Sequence, residues 1–225
     1  KKIDPSSAYS ELKPTERLFD KDQKLSQFRA KVILCEPIRN QADSSEPAWS
    51  VILDRTGFYP ESGGQLCDQG KLEDANVLHV GINEGVIIHT VDRPLAQGAV
   101  TGKIDQFRRD QISQHHTSVH IVGGSAREIL GSHIWQAGSY KSEQLARLDI
   151  THFNRLTRDQ LDEIEDHANT IVTENRQVLT TVLDRADADK EHGFSIYQGG
   201  PPKHDRIRVV EVEGHDIQAC GGTHV

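Results

Sequence analysis

The sequence predicts an α+β fold: a small N-terminal β-barrel followed by an α/β domain in which helices pack on an antiparallel sheet. Three observations lead there. The first hundred residues are mostly short apolar stretches broken by polar or glycine-rich turns. Near Ile104 the apolar spacing changes to threes and fours, as on a helix face. Strand-like segments then return between and after two helical stretches. We therefore place a barrel subdomain over residues 1–103, carrying FYPESGGQ, and an α/β domain over residues 104–225.

Residues 1 to 24 are polar and irregular, with Pro5, Ser6, Ser7 and Pro14, and read as a lead-in. QFRAKVILCEP (27–37) alternates, putting Phe28, Ala30 and Val32 on one side of a half-buried strand. NQADSSEP (40–47) is a loop by composition. WSVILDRTGFYP (49–60) reads as a second strand leading to the turn ESGGQ, and VLHVGINEGVIIHTVD (77–92) as a hairpin around Asn83, Glu84 and Gly85. From Asp105 to Leu130 the residues Ile112, Val119, Val122, Ala126 and Ile129 make one helix face, and Gly131 ends it. A second helix starts at Thr157, where Thr157 and Gln160 have capping-box spacing and Leu161, Ile164, Ala168 and Ile171 supply the apolar face. HIWQAGSY (133–140), ARLDITHF (146–153) and IRVVEVEGHDIQAC (207–220) read as strands.

A hydrophobic share of 35% with 27% charged residues suits a folded chain rather than a disordered one. No apolar run approaches the roughly 18 residues of a membrane span, and no basic segment precedes an apolar leader, so we expect a cytoplasmic protein with no membrane partner. Cys35, Cys67 and Cys220 are an odd number, which leaves at least one thiol free. The chain begins at Lys1 and lacks methionine, so we expect a piece of a longer protein. Its net charge of −8 disfavours indiscriminate gripping of nucleic acid, so any RNA contact must be local.

Two short motifs carry chemistry. In QHHTSVH, His116 and His120 lie one helical turn apart and can point two imidazoles at one ion. Taken alone, two surface histidines would look the same. The chain also ends ACGGTHV, where Cys220 and His224 flank glycines that permit a tight turn. Together the pairs form a Cys/His set that suits zinc better than magnesium or calcium. His115 competes with His116, but its fourth neighbour is Val119, so His116 is preferred. The second motif is DRTGFYPESGGQLCDQG, where Ser62 and Gln65 bracket a double glycine beside Phe58 and Tyr59. Glycines there suit a backbone that approaches a ligand closely.

The strings FYPESGGQ, HHTSVH, HIWQAGSY, ARLDITHF, GFSIYQGGPP and ACGGTHV, in this order, resemble the editing domain of alanyl-tRNA synthetase, in particular the archaeal type. They also resemble free-standing alanyl-tRNA editing proteins. The likeness runs from about Thr15 to Val225. The histidine and cysteine motifs are shared with the threonyl-tRNA synthetase editing domain, whereas FYPESGGQ is the narrower, alanyl-type signature.

That resemblance implies the fold of the threonyl/alanyl editing domains and a deacylase for tRNA(Ala) mischarged with serine or glycine. It makes His116, His120, Cys220 and His224 the Zn2+ ligands. Four protein donors fill a tetrahedron, so a catalytic ion calls for a loosely held His224 or an expanded shell. Gln65 and Gln136 are candidate substrate contacts, and Thr117 a candidate partner for the serine hydroxyl. Asp149 and His152 are candidates for the shell behind the ligands. Val119 stands where the family often has threonine, which leaves the source of serine selectivity open. Lys103, Arg108, Arg109, Arg147, Arg155, Arg158, Lys203, Arg206 and Arg208 are the basic residues available to RNA. The remainder of the synthetase is an expected partner.

Three other readings compete: a free-standing editing protein acting in trans, a zinc-stabilised RNA-binding module without catalysis, and a zinc hydrolase of another substrate. The metalloprotease pattern HExxH is absent, because Thr117 stands where its glutamate would be.

Overall fold

The structure is a computed structural model that describes residues 9, 12–38, 47–198, 200 and 205–225. Residues 1–8, 10 and 11 of the lead-in, all of the NQADSSEP loop but its last residue, part of GFSIYQGGPP and Lys203 lie outside the described residues. The chain divides into two compact units, Lys1–Ser62 with Leu66–Asp110 and Gly63–Gln65 with Gln111–Val225.

In the first unit β1 (Glu16–Arg17) pairs in parallel with β4 (Arg55–Thr56). A closed barrel is built from β2 (Gln27–Pro37), β3 (Trp49–Leu53), β5 (Gly70–Leu72), β6 (Ala75–Asn83), β7 (Val86–Val91) and β8 (Gly98–Ile104), in the order β2-β3-β7-β6-β5-β8. Closure removes the unpaired edges of an open sheet. Alternation along β2 buries Phe28, Ala30 and Val32, which join Val51, Leu53, Val80 and Ile87 in one apolar core. Between β6 and β7, Asn83 pairs with Val86, and Glu84 (φ 47°) and Gly85 (φ 86°) form the two-residue turn that such a hairpin favours.

The single strand expected over 49–60 is instead two. Asp54 interrupts it, because its carboxylate accepts from the N–H of Lys31 at 2.7 Å and of Arg55 at 2.9 Å, a side chain standing in for a ladder partner. Strand β8 was not foreseen. The two glycines of GAVTGKI weaken the alternation that would reveal it.

In the second unit, α1 runs from Gln106 to Leu130, with the residues from Gln111 onward belonging here. It is followed by the hairpin β9 (Gln136–Lys141)–β10 (Ala146–Ile150), α2 (Arg158–Thr173), and an antiparallel sheet of β11 (Val178–Asp184), β12 (Arg206–Val212) and β13 (Asp216–Ala219). A short α3 (Arg185–His192) follows β11. The capping box of α2 is formed: Thr157 Oγ1 accepts from the Gln160 N–H, and Gln160 Oε1 accepts from the Thr157 N–H. Ile121 of α1, Ala168 and Ile171 of α2 and Val212 of β12 pack together, so helices do cover the sheet.

Two residues expected on apolar helix faces are exposed. Val122 lies on the outward stripe Gln114–Ser118–Val122, spaced by four, while the buried stripe passes through Ile112, Val119 and Ala126. Leu161 sits in the first turn of α2, ahead of the buried Ile164, Ala168 and Ile171. Among the described residues no helix is long and apolar enough to cross a membrane.

Candidate metal centre

Helical geometry puts His116 and His120 on one face of α1, their ring centroids 5.4 Å apart. The second half of the centre comes from the segment after β13. Arg208 on β12 donates through Nη1 to the carbonyls of Cys220 and Gly222, 2.8 Å each, and so folds the CGGTH backbone. A Cβ at Gly222 would lie 2.0 Å from His116 Cε1, so this position has no room for a side chain.

One ligand atom from each of His116, His120, Cys220 and His224 then lies within 4.8 Å of all the others. Cys220 Sγ is 3.4 Å from Nε2 of His116 and 3.4 Å from Nε2 of His224. A tetrahedral zinc with Zn–S near 2.3 Å and Zn–N near 2.05 Å separates sulfur from nitrogen by about 3.6 Å. The spacing and the donor chemistry both fit that ion, and the group could hold a metal.

Hydrogen bonds behind the rings settle which nitrogen faces inward. The Thr223 N–H, which can only donate, is 3.0 Å from Gln65 Oε1, and this identifies that atom as oxygen. His116 Nδ1 must therefore donate to it, at 2.7 Å, which leaves the Nε2 lone pair toward Cys220. Likewise His120 Nδ1 donates to the carboxylate of Asp216 at 3.1 Å. His224 Nδ1 is hydrogen-bonded to Thr117 Oγ1 at 3.1 Å. An oxygen at the outer nitrogen of each imidazole is how ligating histidines are normally oriented.

The electrostatics favour a thiolate at the centre. Burial pushes the Cys220 thiol up, but His116, His120 and His224 outweigh it and hold the group well below its usual range, toward the thiolate that binds metals. Gly222 N–H also points at this sulfur, 3.4 Å away. Burial disfavours a charged His120, yet Asp216 and Cys220 raise it to about 9. Burial dominates at His224, pushed down to about 3, and at His116, which is lowered too.

Gln65 reaches the centre because the double glycine pins its backbone. Gly63 and Gly64 have φ of 58° and 76°, and a Cβ at Gly64 would sit 2.0 Å from the Ser139 carbonyl oxygen. The buried Lys141 of β9 secures the turn, its N–H donating to Gly64 O at 2.7 Å and its Nζ to Gly63 O at 2.9 Å. Gln65 Nε2 donates to Thr223 Oγ1 at 2.9 Å, and Ser113 Oγ donates to the same oxygen at 2.7 Å.

Gln65 and Thr117 are thus both in contact with candidate ligands. Gln136 begins β9, its N–H donating to Gln198 Oε1 at 3.0 Å, and lines a small pocket with Val119, Arg127 and Gln218. The shell behind the ligands differs from expectation. Asp149 pairs with Arg147 at 3.2 Å, and His152 Nδ1 bonds His133 Nε2 at 2.9 Å, whereas the carboxylate behind the histidines is Asp216. Its only sequence signal is one acid in the strand leading to CGGTH. Several of the basic residues proposed for RNA are committed elsewhere, most firmly Arg109, which is 1% exposed and paired with Asp68, and Arg208, which holds the Cys220 loop.

A family model described as class II (A) tRNA synthetases matches residues 4–108. The alanine–tRNA ligase of Halorubrum lacusprofundi is 42% identical over 222 residues, covering 96% of this chain and 23% of the relative. That of Ignicoccus hospitalis is 42% identical over 217 residues, covering 94% and 23%. That of Methanosarcina barkeri is 44% identical over 185 residues, covering 78% and 20%. The chain spans only 20–23% of the length of these curated relatives. With a match at 42% identity that takes in nearly all of its residues, the chain belongs to the alanine–tRNA ligase family and corresponds to a part of those larger proteins.

Proposed function

We propose that this segment is a proofreading hydrolase that cleaves the ester of tRNA(Ala) mischarged with serine or glycine. It does so with zinc held by His116, His120, Cys220 and His224. The observation that carries the reading is the convergence of three imidazoles and a thiolate, each ring oriented from behind, in a chain of the alanine–tRNA ligase family. The chemical need is plain. A pocket made for alanine cannot strongly refuse an added hydroxyl or a missing methyl, differences worth only about 1–3 kcal/mol, so a second site must remove the errors. The tRNA(Ala) acceptor end and the remainder of the ligase are the partners in this reading, and a cytoplasmic location goes with it.

A zinc ion bound there would supply Lewis-acid character toward an oxygen of substrate or water. The chain's own residues do the rest. Gln65, Asp216 and Thr117 orient His116, His120 and His224, and Arg208 holds the loop that carries Cys220. Gln65 and Thr117 act on the reaction through the ligands they position, and Gln136 is proposed to touch the substrate.

One observation favours a second reading. Four protein donors complete a tetrahedron, as in structural zinc sites, and would suit an RNA-binding module without catalysis. Release of labelled amino acid from Ser-, Gly- and Ala-tRNA(Ala) separates the two. Proofreading requires loss of serine and glycine but not alanine, abolished by chelation or Cys220→Ala and restored by zinc in the unmutated chain. Serine release no faster than the uncatalysed rate, from both this segment and a ligase containing it, would leave the structural reading standing.

A further inference from the structure

A second group of metal-type donors lies elsewhere in the same unit and shares no residue with the first. Glu128 on α1, His167 on α2 and His215 in the turn between β12 and β13 bring one carboxylate oxygen and two ring nitrogens within 4.8 Å of one another. Glu128 Oε2 is 3.4 Å from His167 Nε2 and 4.0 Å from His215 Nδ1. The ring centroids are 5.6 Å apart.

Here too the bonds behind the rings decide what faces the gap. His215 Nε2 lies 2.9 Å from the Ile121 carbonyl, which only accepts, so that nitrogen carries the proton and Nδ1 keeps its lone pair in the neutral ring. Ser125 Oγ donates to the same carbonyl at 2.9 Å. Its oxygen is therefore the acceptor for His167 Nδ1 at 3.0 Å, and the lone pair of His167 falls on Nε2. Two lone pairs and a carboxylate oxygen converge, each imidazole backed by an oxygen as ligating histidines are. Two imidazoliums at this separation, sharing one half-exposed carboxylate, would instead repel each other. The seat of His215 is built into α1, since a Cβ at Gly124 would lie 2.6 Å from its Nε2.

We propose that Glu128, His167 and His215 form a second divalent-metal site, suited to zinc or another late first-row ion such as nickel. Three protein donors leave coordination open to water, so this site binds more weakly than the four-donor centre and empties first. Its ion clips α1 to α2 and to the β12–β13 turn, segments distant in sequence, and opposes their separation on unfolding.

Equilibrium dialysis of the whole chain against zinc, followed by elemental analysis, tests the proposal. Two equivalents are expected for the unmutated chain. One, the tighter, should remain in Glu128→Gln and in His167→Asn, and its retention shows that these variants are folded. Ser125→Ala keeps all three donors but should weaken the second equivalent about tenfold or more by releasing His167. Zinc beyond the first equivalent should raise the thermal midpoint of the unmutated chain and not that of Glu128→Gln. A single equivalent at saturating zinc, or a second that survives both Glu128→Gln and His167→Asn, overturns the site.

Discussion

His120 and Asp216 face each other in the second unit, the imidazole Nδ1 donating to Oδ2 across 3.1 Å with both side chains almost wholly buried. Arg127 also donates to this carboxylate, and Gln218 Nε2 does so at 2.9 Å, so its position is fixed from three sides. Asp216→Asn keeps the shape and removes the charge that makes His120 a strong donor. Zinc affinity should fall about 10- to 100-fold, read by competition with a chromophoric chelator. An unchanged affinity would mean that the imidazole is held by its helix alone.

The double glycine yields a sharper pair of substitutions. Gly63→Ala and Gly64→Ala both force alanine into a left-handed conformation, at a cost of about 1–2 kcal/mol each. Only Gly64→Ala also meets backbone, the Ser139 carbonyl, because nothing lies within 4 Å of a Cβ at Gly63. Gly64→Ala should therefore displace Gln65 and weaken zinc binding, while Gly63→Ala lowers the thermal midpoint slightly and leaves the metal in place. Equal losses of zinc in the two variants would show that turn strain, rather than the close approach, controls Gln65.

These pairs show what was legible in the sequence. Features decided within a few residues could be read directly: the Thr157–Gln160 box, the turn at Glu84–Gly85, and the pairs His116–His120 and Cys220–His224, spaced by four, whose donor atoms converge. Features that depend on strand register could not. Asp216 meets His120 only because β13 lies against β12 and leads into the Cys220 loop, and no local pattern encodes that meeting. Strand β11 was missed because most of its residues are exposed, which removes the alternation by which strands are recognised. Arg109 reads as surface charge until the fold brings Asp68 to it.

That buried pair should dominate the stability of the first unit. Arg109 Nε donates to Asp68 Oδ1 at 2.8 Å and Nη2 to Oδ2, while Nη1 and Nη2 reach the carbonyls of Gln23 at 2.9 Å and Gly57 at 2.7 Å. Asp68 accepts the Tyr59 N–H as well. Asp68→Asn strands a buried guanidinium and should cost about 3–5 kcal/mol in denaturant unfolding. Arg109→Lys should also destabilise, because one ammonium cannot serve the carboxylate and both carbonyls. A loss below about 1 kcal/mol for Asp68→Asn would mean that water reaches the guanidinium and screens it.

His89 gives the first unit a pH dependence of its own. It is buried in the barrel, Nδ1 donating to the Val51 carbonyl at 3.1 Å and Nε2 bonded to Thr56 Oγ1 at 2.9 Å. Burial lowers it from 6.5 to about 4, with the Val51 carbonyl offsetting part of the effect. Between those values the unfolded chain binds the proton and the folded chain does not, so stability rises with pH across that window. The contribution is complete above about pH 6.5, declines as the pH falls toward 4, and amounts to about 3 kcal/mol. Denaturant unfolding followed by Trp49 fluorescence, in a Trp135→Phe background, should show this slope between pH 4 and 7 and lose it in His89→Gln. Parallel stability curves for the two chains would mean that the ring takes up its proton without leaving the folded barrel.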